Sequence, residues 1–247
     1  MSRNEQRNPE YWVNMGYSLT AEGKDEQAKK YYKKALELDP KNLVALVNLA
    51  KGLNVCNLEE SKEYLRRAIG INSNLVEAWI NLGVVYGLEK NYQKEMECYN
   101  KAISLDSSKP EAWHNRGRAY KERGLFTAAI HDYNEALRLK SDRIGTLYEK
   151  AYSHTRLQQF EEADMCYDKI LQIDPLHADS ISDKGAILCI KGRYREALHF
   201  FDKALKIDKR NARTLRNKAK ALRALRRTRT AKHCDLGASN IESETSF

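Results

Sequence analysis

One pattern constrains this chain more than any other: Trp12, Leu46, Trp79, Trp113, Leu147 and Ile181 follow one another at 34, 33, 34, 34 and 34 residues. The sequence around each of these anchors repeats as well. With the anchor as slot four, units begin at Pro9, Leu43, Val76, Pro110, Ile144 and Ala178, which gives 9–42, 43–75, 76–109, 110–143, 144–177 and 178–211. A partial seventh unit starts at Ala212. A unit this short cannot bury its own apolar face, so neighbouring units must share a continuous core.

Fixed slots carry fixed sizes. Slot eight is small throughout: Gly16, Ala50, Gly83, Gly117, Ala151, Gly185 and Ala219. Slot 27 is Ala35, Ala68, Ala102, Ala136 and Ala204, whereas slot 24 is large, with Tyr32, Leu65, Tyr99, Tyr133, Tyr167 and Phe201. Small against large at helical spacing is how two helices interlock. Within each unit the apolar positions form two helical bursts, with a turn near slot fifteen that Gly23, Gly124 and Gly192 can close. The second burst ends in Leu-Asp or Ile-Asp, as at Leu38-Asp39 and Ile173-Asp174, with Pro40 or Pro175 behind it. Each unit therefore reads as a helical hairpin, and the array as an all-α, right-handed α-solenoid. Only 12 Gly and 4 Pro in 247 residues agree with a helical chain.

The pattern W-x-x-L-G-x-x-Y, then A-x-x-x-F, then A, then P resembles the tetratricopeptide repeat (TPR) family. The unit 76–109 carries it most fully, in Trp79, Leu82, Gly83, Tyr86, Tyr92, Tyr99 and Ala102. The resemblance extends from Pro9 to Asn211 and implies six TPR hairpins. Departures are local. The second unit is one residue short near Cys56, Glu95 stands where Ala is usual, and His154 stands where Tyr is usual. Slot seven changes from Met15, Leu49 and Leu82 to Arg116, Lys150, Lys184 and Lys218. These stems are expected to lie over apolar neighbours while their charges reach water. The ends read as follows: 1–8 as a disordered N-terminus, 212–232 as a basic capping helix with the stripe Leu215, Ala219, Leu222 and Leu225, and 233–247 as a disordered tail.

The resemblance also implies that slots two, five, six, nine, twelve and thirteen of each first helix line a concave groove. Slot six holds Asn14, Asn48, Asn81 and Asn115. A carboxamide donates and accepts, so such a ladder can pair with the backbone of an extended peptide whatever its side chains. Asn is also a poor helix former that a merely solvated face does not need. Val13, Val47, Ile80 and Val84 with Tyr17 supply an apolar strip beside the ladder, and His114, Arg118, Tyr148 and Tyr152 follow it with aromatic and charged contacts. An alternative for Arg118 is an internal pair with Glu149. Co-chaperones of this family that clamp terminal carboxylates carry Lys and Asn where this chain has Val13 and Tyr17, so that sub-family is not expected.

The net charge of +9 is local. Residues 206–233 hold twelve Lys or Arg against Asp208, which leaves the rest of the chain slightly acidic. Arg213, Arg216, Lys220, Arg223, Arg226 and Arg227 form a basic patch that suits a solvated cap, or, as alternatives, the phosphates of nucleic acid, an anionic membrane surface or an acidic protein. The segment offers no aromatic side chain for stacking on bases.

Catalytic chemistry is not expected. There is no H-E-x-x-H, no phosphate-binding Gly loop and no G-x-S-x-G, and His131 and His199 lie two units apart. Cys56, Cys98, Cys166, Cys189 and Cys234 are dispersed and include no C-x-x-C, so neither a metal nor a disulfide framework is expected, and a reducing cytoplasm is. No apolar run approaches membrane-spanning length and the N-terminal residues show no leader pattern. The sequence thus predicts a non-catalytic adaptor without cofactors that binds a protein or peptide in its groove. A scaffold or oligomerisation module is the alternative of another class.

Overall fold

A computed structural model describes residues 8–53 and 57–245. Among them are fourteen helices and no strand. The chain divides into two compact units, Met1–Leu139 and Lys140–Phe247. The first holds α1 (Pro9–Ala21), α2 (Asp25–Leu38), α3 (Leu43–Leu53), α4 (Leu58–Ile71), α5 (Val76–Leu88), α6 (Tyr92–Leu105), α7 (Pro110–Glu122) and α8 (Phe126–Leu139). The second holds α9 (Ile144–Arg156), α10 (Phe160–Ile173), α11 (Ala178–Ile190), α12 (Tyr194–Ile207), α13 (Ala212–Ala224) and α14 (Thr228–Thr245). Within each unit, odd and even helices pair as antiparallel hairpins, and each hairpin packs on the next.

The hairpin turn is one device used six times. The N–H groups of Lys24, Asn91, Leu125, Gln159, Arg193 and Arg227 reach back to the carbonyls of Leu19, Tyr86, Tyr120, His154, Leu188 and Leu222 at 2.8–3.0 Å. This bond closes a helix only if the residue before it turns left-handed. Gly23, Gly124 and Gly192 do so at φ of 72°, 75° and 74°, but Lys90, Gln158 and Arg226 do the same at 58°, 60° and 59°. Sequence marked only the glycines. The corresponding turn of the second repeat, including the deletion near Cys56, lies outside the described residues.

The Leu-Asp and Ile-Asp endings also have a cause. Asp39, Asp106, Asp174 and Asp208 leave the helix with extended backbone. Their Oδ1 atoms accept from the N–H two residues on, at Lys41, Ser108, Leu176 and Arg210, at 2.9–3.0 Å. The carboxylate thus turns the chain towards the next hairpin by an Asx turn. The Trp79 and Trp113 indoles fasten that connection by donating to the carbonyls of Ser73 and Ser107 at 2.8 and 2.9 Å.

The end of the chain differs from the sequence expectation. In place of a lone capping helix over 212–232 followed by a disordered tail, residues 212–245 form two helices, α13 and α14, which pack as another hairpin, and 246–247 lie outside the described residues. Ala231, Cys234 and Ala238 are buried in α14, the first two in one cluster with Ala219 and Leu222 of α13. Ala231 and Ala238 occupy the small slots 20 and 27, a signal masked by the polar residues between them. At the other end, residues 1–7 lie outside the described residues, while Asn8 caps α1 by accepting from the Glu10 N–H at 3.0 Å.

Candidate interaction face

In the first unit α3 contacts α5 and α5 contacts α7 directly, so the outward slots of these odd-numbered helices run on as one face. Asn48 and Asn81 take the same conformation on it. Each donates one Nδ2–H to the carbonyl four residues back, Val44 and Glu77, at 2.9 Å. That bond fixes the carboxamide and leaves its oxygen and second N–H without a partner among the described residues. Asn14 is exposed and Asn115 half-buried, each at the matching slot of α1 and α7.

The apolar strip is narrower than the sequence suggested. Val13 and Ile80 are buried, Val13 in one cluster with Ala45 and Leu49 and Ile80 in one with Val76 and Ala112. Slot five sits where one first helix meets the next, so these two side chains chiefly hold hairpins together and form no continuous exposed strip. Val47 and Val84 remain half-buried and Tyr17 is 63% exposed. Tyr17 opens a pocket with Glu10, Val13, Asn14, Asn42 and Val44. His114 lies with its ring 5.9 Å from that of Tyr133, and the Arg118 Nε is 3.8 Å from Glu122 of its own helix.

In the second unit Tyr148 does not stand free. Its hydroxyl donates to Asp183 at 2.6 Å, Arg213 donates to Asp183 at 2.5 Å and to Asp179 at 2.8 Å, and the Arg213 Nη2 lies 3.3 Å from the Tyr148 oxygen. These four residues come from slots two, five and six of α9, α11 and α13. Burial pushes the Asp183 carboxyl up, while Tyr148 and Arg213 pull it down without cancelling the shift. Burial, then the Asp183 charge, pushes the Tyr148 hydroxyl up. Tyr152 is 39% exposed, and its oxygen accepts from Arg156 at 2.9 Å.

The slot-seven cations were expected to be solvated, and several are paired instead. Arg116 grips Asp132 with Nε and Nη2 at 2.7 and 2.9 Å and donates to Asn100 at 2.7 Å. Lys184 meets Asp164 and Asp168, and Lys218 meets Asp202, at 2.5–2.8 Å. Asn100, Asp168 and Asp202 share slot 25 of the preceding repeat, so the cation latches one hairpin to the next. The polar residue at slot 25 is a readable partner for Arg116, Lys184 and Lys218.

The basic patch is partly neutralised. Arg216 pairs with Glu242, Arg223 with Asp235 and Arg210 with Glu244, all three carboxylates belonging to α14. Lys220, Arg226 and Arg227 are exposed. Among the described residues no group of three His, Cys, Asp or Glu is placed to hold a metal. No helix among them is long and apolar enough to cross a membrane.

With this geometry in place, comparison with known proteins is decisive for the family. Residues 9–42 and 110–143 match a tetratricopeptide repeat profile, 90–124 a TPR repeat profile, and 144–175 and 177–210 two further tetratricopeptide repeat profiles. The chain belongs to the tetratricopeptide repeat family. Its fold is that of TPR solenoid proteins. The structure is similar to a chain in the crystal structure of the APC/C hetero-tetramer Cut9–Hcn1, with a TM-score of 0.77 and 15% identity over 87% of this chain and 43% of that one. It thus spans less than half the length of that relative. PilF of Pseudomonas aeruginosa gives 0.71 and 20%, over 84% and 94% of the two chains. YrrB, described as a TPR protein with an unusual peptide-binding site, gives 0.61 and 20%, over 79% and 97%. At these identities the likeness is one of fold. No curated protein matches the sequence.

Proposed function

We propose that this TPR protein is a non-catalytic adaptor of the cytoplasm that docks an extended segment of a partner protein along the face of α3, α5 and α7. The observation that carries this reading is the shared conformation of Asn48 and Asn81, each anchored to its own helix at 2.9 Å with an oxygen and an N–H to spare. Asn115 continues the row on α7. An extended peptide has backbone donors and acceptors at regular intervals, so a row of fixed carboxamides can hold it irrespective of sequence. Val47, Val84 and Tyr17 add apolar contact on this unit. Val13 and Ile80 support the face from beneath. The cytoplasmic setting rests on the dispersed cysteines.

The test is capture of partners from nuclease-treated lysate by the wild-type chain and by Asn48→Ala/Asn81→Ala/Asn115→Ala, with identification by mass spectrometry. The reading expects specific proteins to be lost from the variant. An unchanged set of bound proteins contradicts it.

A further inference from the structure

The first six even-numbered helices, α2 to α12, have 14 residues each, whereas α14 has 18. The four additional residues are Glu242, Ser243, Glu244 and Thr245. Both carboxylates of this extra turn are engaged, Glu242 with Arg216 and Glu244 with Arg210, and Asp235 on the same helix meets Arg223. On α13, Arg213, Arg216, Lys220 and Arg223 follow at intervals of three, four and three, which places them on one helix face. Arg213 is held by Asp179 and Asp183. Lys220 is exposed, with no carboxylate at ion-pair distance among the described residues.

We propose that this cationic face of α13 is a docking surface for an acidic segment of a partner protein, and that Asp235 and Glu242 of α14 occupy it as a tethered competitor, with Glu244 held on Arg210 just before α13. The surface is independent of the Asn row on α3, α5 and α7. The occupant already present sets the chemistry: carboxylates on a polypeptide, matched one to one with Arg. No aromatic side chain on α13 offers a base a stacking surface. The competitor is displaceable because its ion pairs are open to solvent, with the Arg216 and Glu242 side chains 52% and 45% exposed. Exposed pairs of this kind contribute little individually. Their strength lies in the tether, because the packing of α14 on α13 presents the carboxylates together and at fixed positions. A partner segment carrying several carboxylates and reaching Lys220 as well as Arg216 and Arg223 exchanges with them, whereas an isolated anion does not.

The experiment measures binding of a fluorescein-labelled octaglutamate peptide to the full chain by anisotropy at low salt. Asp235→Asn/Glu242→Gln/Glu244→Gln should bind at least about tenfold more tightly than wild type, because the tethered competitor is gone. Glu26→Gln/Glu63→Gln/Glu97→Gln changes the net charge equally on exposed residues of the first unit and should bind as wild type does. Arg216→Gln/Lys220→Gln/Arg223→Gln should lose the peptide. Glu242→Gln/Glu244→Gln alone lies beyond the buried Ala231, Cys234 and Ala238, and with helicity confirmed by circular dichroism should show the same direction of change. Equal affinity of wild type and both α14 variants overturns the proposal, as does equal tightening in the charge control. Tightening for a single-stranded oligonucleotide but not for the peptide overturns the acidic protein segment in favour of nucleic acid.

Discussion

Gly83 and Tyr99 approach so closely that a Cβ on Gly83 would stand 2.5 Å from Cε1 of the ring. The same contact joins Gly16 to Tyr32, Gly117 to Tyr133 and Gly185 to Phe201. Tyr99 is fully buried, so its ring has nowhere to retreat. Gly83→Ala should therefore lower stability by about 2 kcal/mol through overpacking, read from the urea midpoint. The second repeat pairs Ala50 with Leu65, both buried. Tyr99→Leu should accordingly relieve part of the Gly83→Ala cost in a double-mutant cycle.

The turn after α5 holds Lys90 at φ 58° where other repeats use Gly23, Gly124 or Gly192. A side chain in that conformation costs about 1 kcal/mol. Lys90→Gly should raise the thermal midpoint despite glycine's greater freedom when unfolded, and Gly124→Lys should lower it.

Arg116 covers Asp132, whose side chain is only 2% exposed. Arg116→Met leaves that carboxylate buried without its guanidinium and should cost about 3 kcal/mol in denaturant unfolding. Arg116→Lys should cost clearly less, since Lys184 and Lys218 serve the same slot with carboxylate partners.

Glu95 is 3% exposed, and its Oε2 has no hydrogen-bond partner. Burial first, then the charge of Glu122, raises its pKa above 4.5, against Arg123 and Arg118. A carboxyl that holds its proton more tightly when folded destabilises the fold as pH rises from its unfolded pKa through its folded one. Glu95→Ala, which restores the residue usual at this slot, should raise stability by about 1 kcal/mol at neutral pH and by less at pH 4. Thermal midpoints across that range check both the sign and the pH dependence.

The hairpins were legible because their causes are local: small slots against rings, the carboxylates that end each second helix, and the spacing of the anchors. What escaped were relationships between one helix and the next, both within a repeat and across to its neighbour. Arg116 looked like a solvated stem because its partners Asp132 and Asn100 sit sixteen residues to either side. Val13 and Ile80 looked like groove residues because slot number alone does not tell how closely the next first helix approaches. The helix over α14 was hidden by composition, although Ala231 and Ala238 keep the small slots. The Asn row was legible as residues, while the anchoring bond of Asn48 and Asn81 depends on a side-chain conformation that residue identity alone does not specify.

The proposed role of Asn48 and Asn81 is to hold a peptide backbone. Its most direct test is calorimetric titration of a peptide, selected on the full chain from a random display library, into wild type and Asn48→Ala/Asn81→Ala. Loss of two hydrogen-bonding carboxamides should weaken binding by at least about tenfold, close to 1.4 kcal/mol. Arg216→Gln/Lys220→Gln/Arg223→Gln should bind the same peptide as wild type does. Unchanged affinity in the Asn variant contradicts the account.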